Sequence, residues 1–176
     1  KTRGYSYLNL ALSLKSPESL SLLLENGVSV PSSTLFNLFD DTSGNRIPGS
    51  DIFNMKTLNL LYKYNPSIIH ATSDQGKTPL MHAACNSNVT MAIWLLSKGC
   101  DVNARDESKR TPLIYAAAGA SINCLRVLAN QGADLNCFTG SGATASFEAV
   151  RSKSLECVKF LFEQGADFTT YHQGIS

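Results

Sequence analysis

The stretch Gly76-Lys77-Thr78-Pro79-Leu80-Met81-His82-Ala83-Ala84 is answered further on by Lys109-Arg110-Thr111-Pro112-Leu113-Ile114-Tyr115-Ala116-Ala117. The two Thr-Pro-Leu triplets stand 33 residues apart, and a further 33 reaches Thr144. The same interval joins Gly99, Gly132 and Gly165. It also joins Asp101, Asp134 and Asp167, and Leu95, Leu128 and Leu161. Several independent columns on one period mark an internal repeat, and this decides the architecture before any element is assigned.

Each unit has a physical reading. A Thr before Pro suits a helix start, because its hydroxyl caps orphan N–H groups and Pro is tolerated in the first turn. The helix that follows carries the small residues Ala83-Ala84 and Ala116-Ala117-Ala118, which let neighbouring helices approach. A second apolar stretch has helical spacing: Val89, Ala92, Ile93 and Leu96 in one unit, Ile122, Leu125, Val127 and Leu128 in the next. Gly99, Gly132 and Gly165 then fall where a C-terminal cap needs a left-handed residue. A helix pair of this size cannot bury its apolar faces alone, so neighbouring units must stack into an all-α solenoid.

These residues, together with Leu95-Leu96-Ser97-Lys98-Gly99-Cys100-Asp101-Val102-Asn103 and Gly132-Ala133-Asp134-Leu135-Asn136, resemble the ankyrin repeat. The expected organisation is one domain over residues 1–176, with repeats at about 1–31, 32–72, 73–105, 106–138 and 139–171. From Gly27 to Gly99 is 72 residues, six more than two periods, and the surplus is placed in an insertion at about 40–50. The second repeat is expected to have its inner helix at 34–39 and its outer helix at 55–64, with Tyr64-Asn65-Pro66 in place of a Gly stop. The last repeat keeps Thr144 but has lost the Pro and Leu behind it. Where the family has His after Thr-Pro-Leu, this chain has Met81, Ile114 and Phe147.

The resemblance implies a non-catalytic protein-interaction module whose partner lies against the concave face of inner helices and projecting fingers. In register, the partner-binding candidates are Asp74, Gln75 and Lys77 in one finger and Glu107, Ser108 and Arg110 in the next. Asn86 and Arg151 at inner-helix ends are further candidates, with Gly119 and Ser152 facing the same way, and Tyr115 is a candidate aromatic anchor whose other reading is partial burial between inner helices. Finger charge is mixed, Arg105, Lys109 and Arg110 standing beside Asp106 and Glu107, which fits a partner carrying both signs. Asn103 and Asn136, eight residues after Leu95 and Leu128, are by the same resemblance candidate hydroxylation sites.

Composition agrees with a soluble intracellular domain of this kind. With 43% apolar residues and a formal net charge of +1, the chain is neither disordered nor a nucleic-acid binder by charge. No apolar run approaches the ~20 residues of a membrane span, so a cytoplasmic placement is expected, with a protein partner and no membrane insertion. The five Cys lack paired spacing and are read as small buried thiols in a reducing compartment, with neither a disulfide framework nor a zinc site. His70, His82 and His172 fall in different repeats. Gly140-Ser141-Gly142 lacks the Lys of a phosphate loop and reads as a finger tip. No catalytic constellation and no cofactor are therefore expected. The first residue is not Met and no polar capping repeat is evident, so the chain reads as part of something longer, with Leu8 and Phe160 needing cover from outside it. That leaves open a second role, as a targeting or docking arm for a catalytic domain elsewhere.

Overall fold

In the computed structural model, residues 3–14, 16–35 and 55–169 are described, and they fall into two compact units, residues 1–71 and 72–176.

The first unit contains α1 (Arg3–Ser13), α2 (Pro17–Glu25) and α3 (Met55–Tyr64), followed by a 3-10 turn at Pro66–His70. Ser16 starts α2 by accepting the Ser19 N–H at 3.3 Å, and Pro17 pre-sets the first turn. Leu20 and Leu24, one turn apart, bury against a core that includes Leu8, Ala11, Leu12, Leu58, Leu61, Ile68 and Ile69. Leu8 is thus covered within its own unit and needs no outside cover. Where the Gly stop is missing, Asn65 ends α3 by polar means. Its Oδ1 accepts the Ser67 N–H at 3.1 Å, and its Nδ2 donates to the Val30 carbonyl at 2.7 Å. The outer helix of the second repeat runs as anticipated. Of its inner helix only Thr34 and Leu35 are described, and the insertion at 40–50 lies outside the described residues.

Among its described residues the second unit holds three helix pairs: α4 (Pro79–Cys85) with α5 (Val89–Ser97), α6 (Pro112–Ala118) with α7 (Ile122–Asn130), and α8 (Ala145–Arg151) with α9 (Leu155–Glu163). The short helices form one layer, α4 against α6 against α8. The longer ones form a second, α5 against α7 against α9. Among the described residues there is no strand, only an isolated antiparallel bridge between Phe138 and Thr144. Thr78, Thr111 and Thr144 cap the inner helices, accepting the N–H of Met81, Ile114 and Phe147 at 3.2–3.4 Å. In the first of these the Met81 sulfur returns the favour, accepting the Thr78 N–H at 3.4 Å.

Several details correct the sequence reading. On α5 the buried residues are Met91, Ala92, Trp94 and Leu95, while Ile93 is exposed; on α7 they are Cys124, Leu125 and Leu128. Phe160 is buried within its unit. Ser146 stands in the fully buried column of Leu80 and Leu113, and its hydroxyl has no hydrogen-bond partner among the described residues. None of the five thiols is in a disulfide, but only Cys124 and Cys157 are buried. Cys100 and Cys137 are half-buried and Cys85 is exposed.

Gly27, Gly99, Gly132 and Gly165 close their helices with φ of 80–87°, the left-handed cap their column called for. A second left-handed column carries no glycine at all: Ser87, Ala120 and Lys153, with φ of 53–58°, between the two helices of each pair. A side chain in that region costs about 1 kcal/mol. Ala120→Gly is therefore expected to stabilise by about 0.5 kcal/mol after the extra entropy of Gly in the unfolded chain is subtracted. Thermal melting of that variant beside Gly132→Ala, which should lose about 1 kcal/mol, checks the sign at both columns.

Candidate functional site

The polar stretches between helix pairs fold into three similar turns. Ser73 Oγ accepts the N–H of Gln75 (3.3 Å) and Lys77 (3.2 Å). One period on, Asp106 Oδ1 accepts the Arg110 N–H at 2.8 Å, and one further on Thr139 Oγ1 accepts the Ala143 N–H at 3.0 Å. Each turn passes through a left-handed residue, Gly76, Lys109 or Gly142. Neighbouring fingers are joined through backbone: the Glu107 N–H donates to the Gln75 carbonyl at 3.2 Å, and the Gly140 N–H to the Ser108 carbonyl at 2.8 Å. Gly140-Ser141-Gly142 does form a finger tip.

On this frame Asp74, Gln75, Glu107 and Ser108 are exposed at the tips, while Lys77 and Arg110 are half-buried at the base. Of the two readings of Tyr115, exposed anchor or burial between inner helices, the structure has the buried one. It is only 5% exposed, and its hydroxyl donates to Asp106 Oδ2 at 2.7 Å. Asp106 is correspondingly buried rather than part of the surface charge pattern. Burial, then the hydrogen bond to Asp106, pushes the Tyr115 hydroxyl well above its ordinary pKa. The Lys77 Nζ lies 5.1 Å and the Arg110 Cζ 5.7 Å from the Tyr115 ring centroid, so cations from two fingers gather on one ring.

The remaining candidates sit at the other ends of the inner helices, about 10 Å away along seven-residue helices. Asn86 is exposed after α4. Arg151 is exposed but engaged by buried Glu148, with 2.6 Å between Nη2 and Oε2. Gly119 and Ser152 serve packing: a Cβ on Gly119 would meet the Cys85 carbonyl oxygen at 2.4 Å, and Ser152 Oγ donates to the Ala117 carbonyl at 3.0 Å.

Asn103 and Asn136 hold neighbouring repeats together. Asn103 Oδ1 accepts the Asp134 N–H at 2.9 Å, and Asn136 Oδ1 accepts the Asp167 N–H at 2.8 Å. The Asp side chains in turn accept from the residue two on, Asn103, Asn136 and Thr169. In the sequence, the 33-residue recurrence of both Asp and Asn was the only sign of this ladder between repeats.

Titration follows from these environments. The Asn136 N–H, then the Cys137 thiol, hold Asp134 below the usual carboxylate range, so its contribution is present above about pH 4 and is lost as pH falls through its lowered value. Burial pushes Cys124 up to about 12 and Cys100 to about 11. Unfolding releases these thiols to their ordinary value of about 8.5. Stability is therefore expected to decline from about pH 9 upward, and Cys124→Ala should flatten part of that slope in urea melts taken from pH 7 to 11.

A family model for ankyrin repeats in many copies matches residues 60–116, and one for ankyrin repeats in three copies matches residues 105–172. The chain belongs to the ankyrin-repeat family. Among curated proteins no match was found. Ankyrin repeats are generally protein–protein interaction modules and are typically non-catalytic. No helix among the described residues of this ankyrin-repeat chain is long and apolar enough to cross a membrane.

Proposed function

We propose that this chain is a non-catalytic module that binds a partner protein through the finger loops and the concave face formed by the inner helices. The observation that carries this is the joined row of fingers, which displays exposed Asp74, Gln75, Glu107 and Ser108 on backbone already fixed by bonds from finger to finger. A surface ordered before it meets its partner loses little conformational entropy on binding. The test is capture of a partner from cytosolic extract by the wild-type chain and by a variant with those four residues changed to Ala. Capture by the first alone, with melting and helical content unchanged, supports the reading; equal capture by both removes the fingers from the site.

A second reading, an arm that docks against a catalytic domain lying outside these residues, is favoured by one observation. Phe147 and Val150 on α8 are 42% and 58% exposed, whereas Met81, Ile114, Ala84 and Ala117 in the same columns of the two preceding repeats are fully buried. That face continues the packing surface between repeats. If it is the dock, Val150→Asp abolishes the association and the four-residue finger variant leaves it intact.

A further inference from the structure

Resting on the finger-binding reading above, we propose that the fingers select their partner through a single carboxylate, an Asp or Glu side chain flanked by basic residues, seated between Lys77 and Arg110.

The two cations come from neighbouring fingers and are held over the same side chain. Tyr115 cannot swing away, because its hydroxyl is bound to buried Asp106, whose other oxygen is bound to the Arg110 backbone N–H. Both cations are half-buried, and among the described residues neither stands within 4.0 Å of a carboxylate. Side chains positioned in this way lose little rotamer freedom when an anion arrives, unlike ordinary surface lysines and arginines.

Local charge sets the class of anion. Lys77 and Arg110 give two positive charges and buried Asp106 one negative, a balance that one carboxylate neutralises and a doubly charged phosphate overshoots. The guanidinium offers a bidentate fork to a carboxylate, and the ammonium adds a point charge. Farther out, Asp74 and Glu107 occupy the exposed tips. They repel a continuous polyanion and favour basic residues on either side of the carboxylate. With exposed Lys109 counted, the tips carry a net charge of −1 above a base that carries +1, and a complementary peptide is negative at its centre and positive around it.

Two immobilised pools of heptapeptides test this, randomised except at the central position, which is Glu in one and Lys in the other. The wild-type chain should be retained at least about tenfold better by the Glu pool, roughly the factor one charge-assisted hydrogen bond provides. The preference should vanish in Lys77→Gln/Arg110→Gln and reverse in Lys77→Glu/Arg110→Glu. If the reversed pair does not fold, the Gln pair decides. Equal retention by both pools, lost on changing the four tip residues to Ala, sinks the carboxylate proposal and leaves the binding reading standing. Retention by neither pool sinks both, and tighter retention on heparin than on the Glu pool replaces the carboxylate with a polyanion.

Discussion

Asp106→Ala is expected to cost about 2–4 kcal/mol and to lower the melting midpoint by roughly 5–15 °C, although the residue lies in a loop. Asp106 is buried, and its two oxygens serve different parts of the structure: one closes the finger by accepting the Arg110 N–H, the other receives the Tyr115 hydroxyl. Truncation leaves two donors without an acceptor at a site that water reaches poorly, and that penalty is larger than the net worth of either hydrogen bond. The neighbouring fingers indicate how the roles divide. Ser73 and Thr139 close their turns with a hydroxyl alone. Asp106→Ser should therefore retain the turn and lose only the Tyr115 interaction, giving an intermediate loss. Tyr115→Phe removes the donor, so a double-mutant cycle between Asp106→Ser and Tyr115→Phe should show less than the sum of the two losses. Additive losses would mean that the hydroxyl and the carboxylate act independently.

The second large effect is expected at Gly119, where Ala should destabilise by about 2–3 kcal/mol. Its backbone needs no glycine, since φ is −82°. The cost is steric. A Cβ would stand 2.4 Å from the Cys85 carbonyl oxygen and 3.2 Å from both the Cys85 carbonyl carbon and Ser121 Oγ, so α4 and α6 would have to separate. One repeat later Ser152 fills the same column with a side chain, so the constraint belongs to the α4–α6 interface and not to the repeat in general. Gly132→Ala supplies the contrast, because φ there is 84° while nothing lies within 4 Å of the added carbon. Its loss should be about 1 kcal/mol and purely conformational. A Gly119→Ala loss no greater than that of Gly132→Ala would contradict the packing argument.

The period, the Thr caps and the Gly stops were legible because each is a local requirement that recurs: Thr78, Thr111 and Thr144 must each cap a helix, and Gly99, Gly132 and Gly165 must each turn left-handed. The orientation of α5 was less so, because a nearly all-apolar helix gives periodicity little to distinguish Ile93, which is exposed, from Trp94, which is buried. Left-handed Ser87, Ala120 and Lys153 were hidden for another reason. Their residues have no common chemistry, and the conformation is imposed by the packing of the two helices they join. At the candidate site, register placed Asp74, Gln75, Glu107 and Ser108 on the fingers and left burial open for Tyr115, but it could not show the bond to Asp106, which spans nine residues of folded chain. The same bond holds the ring over which Lys77 and Arg110 both lie, an arrangement that no linear pattern of charges conveys.

Site-specific photocrosslinking tests most directly whether a partner protein lies across the fingers. A photoreactive residue is placed at Gln75 or Ser108 on the finger tips, and at Lys159 on the exposed side of α9, and each protein is irradiated in cytosolic extract. One and the same crosslinked partner is expected from Gln75 and Ser108, weakened when Lys77 and Arg110 are both changed to Gln, and none from Lys159. Crosslinking from Lys159 with none from the fingers would contradict binding across the fingers.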